Sequence, residues 1–336
     1  MSMPLLAIEN LHLEFHTGHG RFQAINGINF HLNRGELFGV VGETGCGKTI
    51  TGLSVLRLLP RSARITAGRI LFDGVDLLTL PEKEMRTMRG RHIAMIFQDA
   101  GASLNPVFTI GSQIERVVRQ HARNSSSRMR RQIGETLEAV GLSDVDRIMA
   151  AYPHQLSGGM KQRAMIAMAL VCEPSLIIAD EPTTALDVTI QAQILALLRE
   201  LQGKLGISVL LITHNLGVVA QTCDRLAVLY AGRVVETGTT EHLFRAPHHP
   251  YTQGLMQAIP RPGSRGRPLT AIPGSVPANP GAVSGCIFAP RCAHAFDRCH
   301  AEAPALISLG SNHQSACFLE PTQATEVTIP INVEQI

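Results

Sequence analysis

The sequence predicts an α/β protein with four parts. These are a parallel-rich sheet core, an antiparallel β lobe at the start, an inserted helical subdomain and an irregular C-terminal extension. Three observations carry this reading. Short runs of Val, Ile and Leu alternate with stretches of helical period, the pattern of buried strands covered by helices on both faces. The start of the chain alternates apolar with polar residues instead, as half-buried antiparallel strands do. From about 101 to 165 the strand rhythm stops and the pattern is helical throughout.

In chain order, Leu5–Phe15 and Ile25–Leu32 form the antiparallel lobe, joined by a His/Gly-rich turn. The core strands are 36–41, 92–97, 175–180, 208–213 and 225–230, and helices are expected over 48–59 and 189–205. Asn124-Ser-Ser-Ser-Arg128 reads as a loop within the helical insert. After about Ala246 periodicity fades, and prolines and glycines crowd residues 260–281. We therefore expect a main domain over 1–245, with its helical subdomain at about 101–165, and an extension over 246–336.

Composition narrows the function. The chain has 336 residues, 45% hydrophobic and 17% charged, enough to bury a full core. A net charge of +3 is too small to imply nucleic acid as the main partner. The arginines at 123, 128, 130 and 131 lack interleaved aromatics and read as a solvated helix face. No apolar run approaches the ~18 residues of a membrane span, and the N-terminus lacks the basic start of a signal peptide. We expect a cytosolic protein whose membrane contact runs through other subunits.

Chemistry concentrates in a few places. Residues 42–49 read Gly42-Glu43-Thr44-Gly45-Cys46-Gly47-Lys48-Thr49, between an expected strand and an expected helix. This is G-x-x-x-x-G-K-[ST], in which backbone N–H groups converge on phosphates, the lysine supplies a charge and the hydroxyl a magnesium ligand. Cys46 fills a small-residue position in it. Strand 175–180 ends in Asp180-Glu181, two carboxylates that are costly to bury without cationic work nearby. Asp180 suits magnesium, and Glu181 suits the general base for an attacking water. A second glycine turn, Leu156-Ser157-Gly158-Gly159-Met160, opens a helix far along the chain. An ATPase needing both turns must bring them together across a dimer or by folding back.

Together these stretches resemble the ATP-binding cassette (ABC) proteins, with Leu156–Met160 matching the signature motif. The resemblance spans residues 5 to about 245 and implies further roles. Ser157, Gly158 and Gly159 would cap the γ-phosphate of ATP held by the opposite subunit. Gln98 would contact magnesium and water and sense the membrane partner, His214 would contact the γ-phosphate, and Asp187 would speak across the dimer. Phe15 would stack on adenine, with Phe22 as runner-up. Ala100 and Asn215 stand where relatives often carry proline and aspartate.

The stretch from His248-His249-Pro250-Tyr251-Thr252 to Pro260 resembles the extension of ATPases serving oligopeptide, dipeptide and nickel importers, as does Met95–Asp99 with Ser103-Leu-Asn-Pro106. That resemblance implies a second ATPase, a different chain, two transmembrane permease subunits, a periplasmic or extracellular binding protein, and a place on the cytoplasmic face of the inner membrane. Cargo stays open among peptides, nickel, glutathione and opines. A soluble ABC ATPase acting on nucleic acid or ribosomes is the alternative, although this chain has neither a second cassette nor a long coiled coil.

Four of the seven cysteines crowd the tail, Cys286, Cys292, Cys299 and Cys317, spaced C-x5-C-x6-C-x17-C. In a reducing compartment such a set points to a metal or redox group more than to disulfides. The spacing leaves zinc, an iron–sulfur cluster and free thiols open. It leans to the cluster, since zinc usually takes closer pairs. Resemblance to the dipeptide-permease ATPases implies a [4Fe–4S] cluster. His294, His300 and His313 read as surface residues.

Overall fold

The structure, a computed structural model, describes residues 3–18, 20–121, 125–184, 186–258, 272–277, 279–310 and 312–320. Arg123, Asn124 and most of the 260–281 stretch lie outside them. The chain opens with strands β1 (Leu6–Thr17) and β2 (Gly20–Leu32). Then come β3 (Leu37–Val41), α1 (Lys48–Val55), β4 (Ala63–Phe72) and β5 (Val75–Asp76). After α2 (Glu82–Arg91) and β6 (Ile93–Ile96) the chain is helical: α3 (Ala100–Ser103), α4 (Ile110–His121), α5 (Ser126–Ala139), α6 (Val145–Ala150) and α7 (Gly158–Leu170). Strand–helix alternation resumes with β7 (Leu176–Asp180), α8 (Val188–Leu205), β8 (Ser208–Thr213), α9 (Leu216–Thr222), β9 (Arg225–Tyr230) and β10 (Arg233–Thr239). Helix α10 (Thr240–Arg245) follows β10, and the extension adds α11 (Pro250–Gln257), α12 (Asp297–Ala301), β11 (Ile307–Gly310) and β12 (His313–Ser315).

These elements form two compact units, each discontinuous in sequence. One comprises residues 1–32, 38–78 and 212–336, the other 33–37 and 79–211.

The first unit holds the antiparallel sheet, ordered β2-β1-β4-β5. Leu6, Ile8, Leu11 and Leu13 of β1 and Ile25, Ile28, Phe30 and Leu32 of β2 are buried, the alternation expected when one face covers a core. The same unit holds strands ordered β11-β12-β10-β9-β3, with β3 and β9 parallel. Val40, Val41, Leu226, Val228 and Leu229 are almost wholly excluded from solvent, as strands covered on both faces require. The β9–β10 turn places Ala231 and Gly232 both at positive φ, the twist that suits a two-residue hairpin.

The extension is stitched into this unit by polar as well as apolar contacts. Glu236 on β10 is fully buried. It accepts from the His248 amide at 2.7 Å and the His249 amide at 3.1 Å. Nε2 of His313 lies 2.7 Å from Glu236 Oε1, the oxygen that also accepts from the His248 amide. Burial alone would raise this carboxyl, but hydrogen bonds from His313 and the His248 amide outweigh it and hold it below the ordinary range. His313 is thus buried, 4% exposed, against the surface position expected from sequence. A nearby carboxylate on β10, invisible to local pattern, is the reason. His294 and His300 are exposed as expected.

In the second unit β7 lies between β8 and β6, and β6 pairs with β7 in parallel. Helices α4, α5, α6 and α7 share a core that includes Ile114, Val118, Ile133, Leu137, Ile148 and Ile166. Ser125, Ser157 and Asp187 cap α5, α7 and α8 by accepting from amides in the first turn. Gly206, at φ 65°, closes α8 in the left-handed conformation.

Candidate nucleotide-binding site

In the first unit, buried strand β3 delivers the chain into Gly42–Thr49, and α1 starts at Lys48. Two glycines are sterically required. A Cβ at Gly42 would strike the Leu229 carbonyl and come within 2.8 Å of the Cys46 sulfur, and Gly47 caps α1 at φ 107°. The hairpin tip braces the loop from below: the Gly232 amide donates to the Cys46 carbonyl at 2.9 Å, and the Asn26 amide to the Gly232 carbonyl at 2.8 Å.

Lys48 is 6% exposed and curls back over its own loop. Its Nζ donates to the Gly42 carbonyl at 2.7 Å and the Glu43 carbonyl at 3.0 Å. The ammonium is thereby held at the loop's centre, where phosphate oxygens would outcompete neutral carbonyls as charge-assisted acceptors. Thr44, Gly45 and Thr49 face solvent. Cys46 is fully buried with its thiol pushed up by burial, which fits the filler role and no chemistry. Phe15 and Phe22 are cross-strand partners in the β1–β2 register, so the two aromatic candidates stand side by side, both half-buried. His214, exposed after β8, also belongs to this unit, and Asn215 beside it caps α9 by accepting from the Val218 amide at 3.3 Å.

Sequence reasoning missed what holds Glu43. The Tyr251 hydroxyl accepts from the Glu43 amide at 2.9 Å, and Arg291 forms a two-pronged ion pair with its carboxylate. No periodic signal links residues this far apart in the chain.

The second unit holds the remaining candidates. Asp180 ends the wholly buried β7 at 3% exposure, and Glu181 follows at 9%. Glu181 sits at φ 49°, a left-handed backbone that costs a non-glycine residue on the order of 1 kcal/mol or more and clusters at functional sites. The Thr184 hydroxyl donates to its Oε2 at 3.2 Å. Gln98 is exposed immediately beyond β6. Asp99 next to it caps α3, accepting from the amides of Gly101 and Ala102 at 2.7 and 3.1 Å, which the Ala100 departure leaves intact.

The signature turn is presented outward. Ser157 and Gly158 are exposed, and the Ser157 hydroxyl accepts from the Met160 amide. This turn packs beside the loop carrying Asp187: a Cβ on Gly159 would lie 3.0 Å from Ile190, and one on Gly158 3.7 Å from Leu186. The structure thus brings residues 157–159 and 186–190 together within one unit.

Cys286, Cys292, Cys299 and Cys317 all lie in the first unit and all are free thiols. The Cys286 amide donates to the Cys299 carbonyl at 2.7 Å, and the Cys292 amide to the Ala289 carbonyl at 3.2 Å. Burial pushes the Cys317 thiol up to about 11, and the neighbouring Cys286, Cys292 and Cys299 push the same way, so the four sit within electrostatic reach of one another. Among the described residues, no three His, Cys, Asp or Glu side chains are close enough to grip a single metal ion.

Comparison with known proteins decides the family. The dipeptide transport ATP-binding protein DppD of Bacillus subtilis is 47% identical over 326 residues, 97% of each chain. The chain belongs to the ABC transporter family. DppD of Escherichia coli is 45% identical, over 97% of this chain and all of its own, and a probable peptide ABC transporter ATP-binding protein of Sinorhizobium fredii is 49% identical over 94% of each. The ABC transporter family model matches residues 25–184, and a second, described as the oligopeptide/dipeptide transporter C-terminal region, matches 235–299. Among solved structures, the dimeric ATP-binding cassette MJ0796 bound to ADP and Pi superposes with a TM-score of 0.63, at 27% identity over 70% of this chain and 98% of its own. This is an ABC ATPase with the mixed α/β cassette fold expected from sequence. Among the described residues no helix is long and apolar enough to cross a membrane.

Proposed function

We propose that this ABC ATPase is the ATP-hydrolysing subunit of a bacterial peptide importer, working at the cytoplasmic face of the inner membrane beside two permease subunits, a second ATPase chain and a substrate-binding protein. The observation that carries the reading is one of combination. A complete phosphate loop and a peptide-transporter C-terminal region occur in one chain that aligns with dipeptide transport ATPases along nearly their whole length. Dipeptides and short oligopeptides are the proposed cargo.

In this reading the amides of Gly42–Thr49 and the Lys48 ammonium bind the phosphates, while Phe15 or its neighbour Phe22 stacks on adenine. Thr49, Asp180 and Gln98 would hold magnesium; a buried, strand-terminal carboxylate at Asp180 has the chemistry for it. Bound magnesium would neutralise charge developing on the phosphates. Glu181 accepts the proton of the attacking water, and His214 contacts the γ-phosphate. Ser157 and Gly158, outward-facing, cap the ATP of the opposing cassette with Gly159, and Asp187 lies beside that cap. Closure over ATP pulls on the permease subunits and hydrolysis resets them.

For the tail we propose a [4Fe–4S] cluster on Cys286, Cys292, Cys299 and Cys317, with zinc as the alternative. A single zinc ion needs all its sulfurs around one point, whereas a cubane takes each thiolate on a separate corner. What supports the reading is the cysteine content of the extension, four of the chain's seven, together with the resemblance of this region to dipeptide-transport ATPases. Bound metal would supply folding energy to a segment with little apolar periodicity.

The test is reconstitution with the permease subunits, the second ATPase chain and the binding protein in vesicles, reading ATP-dependent uptake of a labelled dipeptide. ATP hydrolysis without peptide uptake, stimulated instead by RNA or ribosomes, would replace this function with the soluble alternative. Iron, sulfide and zinc analysis after anaerobic purification decides the tail. Stoichiometric zinc in a colourless protein would exclude the cluster.

A further inference from the structure

The phosphate loop is gripped by the extension at one residue. Arg291 Nη1 lies 2.7 Å from Glu43 Oε2 and Nη2 lies 3.1 Å from Oε1, the parallel fork that makes Arg–carboxylate pairs directional. The Arg291 side chain is 4% exposed and that of Glu43 30%, unlike the pairs along helices, such as Lys204–Glu200 and Arg245–Glu241, with both partners more than half exposed. The guanidinium is fixed on its far side as well. Its Nε donates to the Pro273 carbonyl at 2.7 Å, Nη2 also to the Ile272 carbonyl at 3.3 Å, and Nη1 to the Tyr230 hydroxyl at 3.4 Å. Meanwhile the Glu43 amide donates to the Tyr251 hydroxyl. Backbone and side chain of one loop residue are therefore both set by groups around Arg291 and Tyr251.

Glu43 matters because of what hangs on its peptide. Its carbonyl accepts from the Lys48 ammonium at 3.0 Å and from the Cys46 amide at 3.3 Å. A rotation of Glu43 moves the resting place of the lysine. The carboxylate is also a negative charge inside a loop built for phosphates, and Arg291 neutralises it.

We propose that Arg291 is a positioning residue of the nucleotide site: it orients the phosphate loop through Glu43 and cancels the charge that would otherwise repel a triphosphate. The proposal rests on reading Gly42–Thr49 as the ATP loop. It adds that the extension sets nucleotide affinity.

The test is the affinity of the purified full-length chain for a fluorescent ATP analogue, with KM and kcat for ATP in the assembled transporter. Arg291→Ala is expected to raise Kd about ten-fold, the worth of one charge-assisted hydrogen bond, with KM raised more than kcat is lowered. Arg291→Lys, which keeps the charge and loses the fork, falls between, and serves alone if Arg291→Ala does not fold. In a Glu43→Ala background Arg291→Ala should change Kd less than two-fold, because its action runs through Glu43. Wild-type Kd in Arg291→Lys and in folded Arg291→Ala, or an equal loss in both backgrounds, overturns the proposal. Lys48→Ala, measured alongside, separates the two levels: if it binds nucleotide like wild type, the loop reading itself fails. If it abolishes binding while Arg291→Ala does nothing, only the positioning role fails.

Discussion

Acid should loosen the first unit in a way that one histidine controls. His249 is 1% exposed, stacked at a tilt on Phe288 with ring centroids 5.6 Å apart. Its Nδ1 accepts from the Tyr251 amide at 3.1 Å and so caps α11. Burial drives its pKa from 6.5 to about 4, against the pull of Glu236, with neighbouring His248 adding to the fall. A protonated ring could not accept from that amide. The sign follows: the unfolded chain takes up this proton below pH 6.5 and the folded one does not, so stability is complete above 6.5 and drains as pH falls toward 4. At about 1.4 kcal/mol per pH unit the window is worth at most about 3 kcal/mol. His249→Asn keeps a capping oxygen and removes the titration. It will lower stability at neutral pH through the cavity it leaves, but the slope of stability against pH between 6.5 and 4 should fall by up to one proton's worth. The assay is urea unfolding followed by circular dichroism at several pH values, since the chain has no tryptophan. An unchanged slope in His249→Asn would refute the reasoning.

Three further outcomes test the site. Lys48→Ala should abolish productive ATP binding, measured by nucleotide titration, because the buried ammonium at the loop's centre is lost. Glu181→Gln should bind ATP normally yet turn over roughly 10²–10⁴-fold more slowly, the usual worth of a general base, and accumulate an ATP-loaded dimer on size-exclusion chromatography; wild-type turnover would remove Glu181 from the base role. Gly158→Asp should fold, since the nearest atom to its Cβ is at an ordinary 3.7 Å, and should bind nucleotide at its own loop while failing to close over a partner's ATP. If isolated monomers hydrolyse at full rate whatever the protein concentration, the sandwich arrangement does not hold for this chain.

The parts of this molecule legible in the sequence are those with local rules. Strands 208–213 and 225–230 match the expected bounds, because buried parallel strands are continuous apolar runs with sharp ends. Helix α1 stops at Val55, short of the expected Leu59, as the chain turns through Arg57 at φ 52°. Strand β4, Ala-Arg-Ile-Thr-Ala-Gly-Arg-Ile-Leu-Phe, went unread. Its exposed face carries arginines and a glycine at φ 100° packed against Asn10, so neither alternation nor an apolar run stands out. The glycine turns, Asp180-Glu181 and the caps at Ser157 and Asp187 were readable because their chemistry fixes spacing. The Arg291–Glu43 fork and the Glu236–His313 contact were not, since long-range polar pairing obeys no period.

The three-ring cluster at the root of the extension carries a lesson for anyone cutting or grafting this protein. Tyr230 ends β9, Tyr251 lies on α11 and Phe288 follows Cys286; their centroids are 4.6 to 5.4 Å apart and all three are buried. A boundary at 246 looks natural on a domain map, yet it would strip two rings from the third and bare the underside of the phosphate loop. Folding leaves no seam there: a chimera that borrows a shorter relative's cassette must also supply a substitute for those two rings.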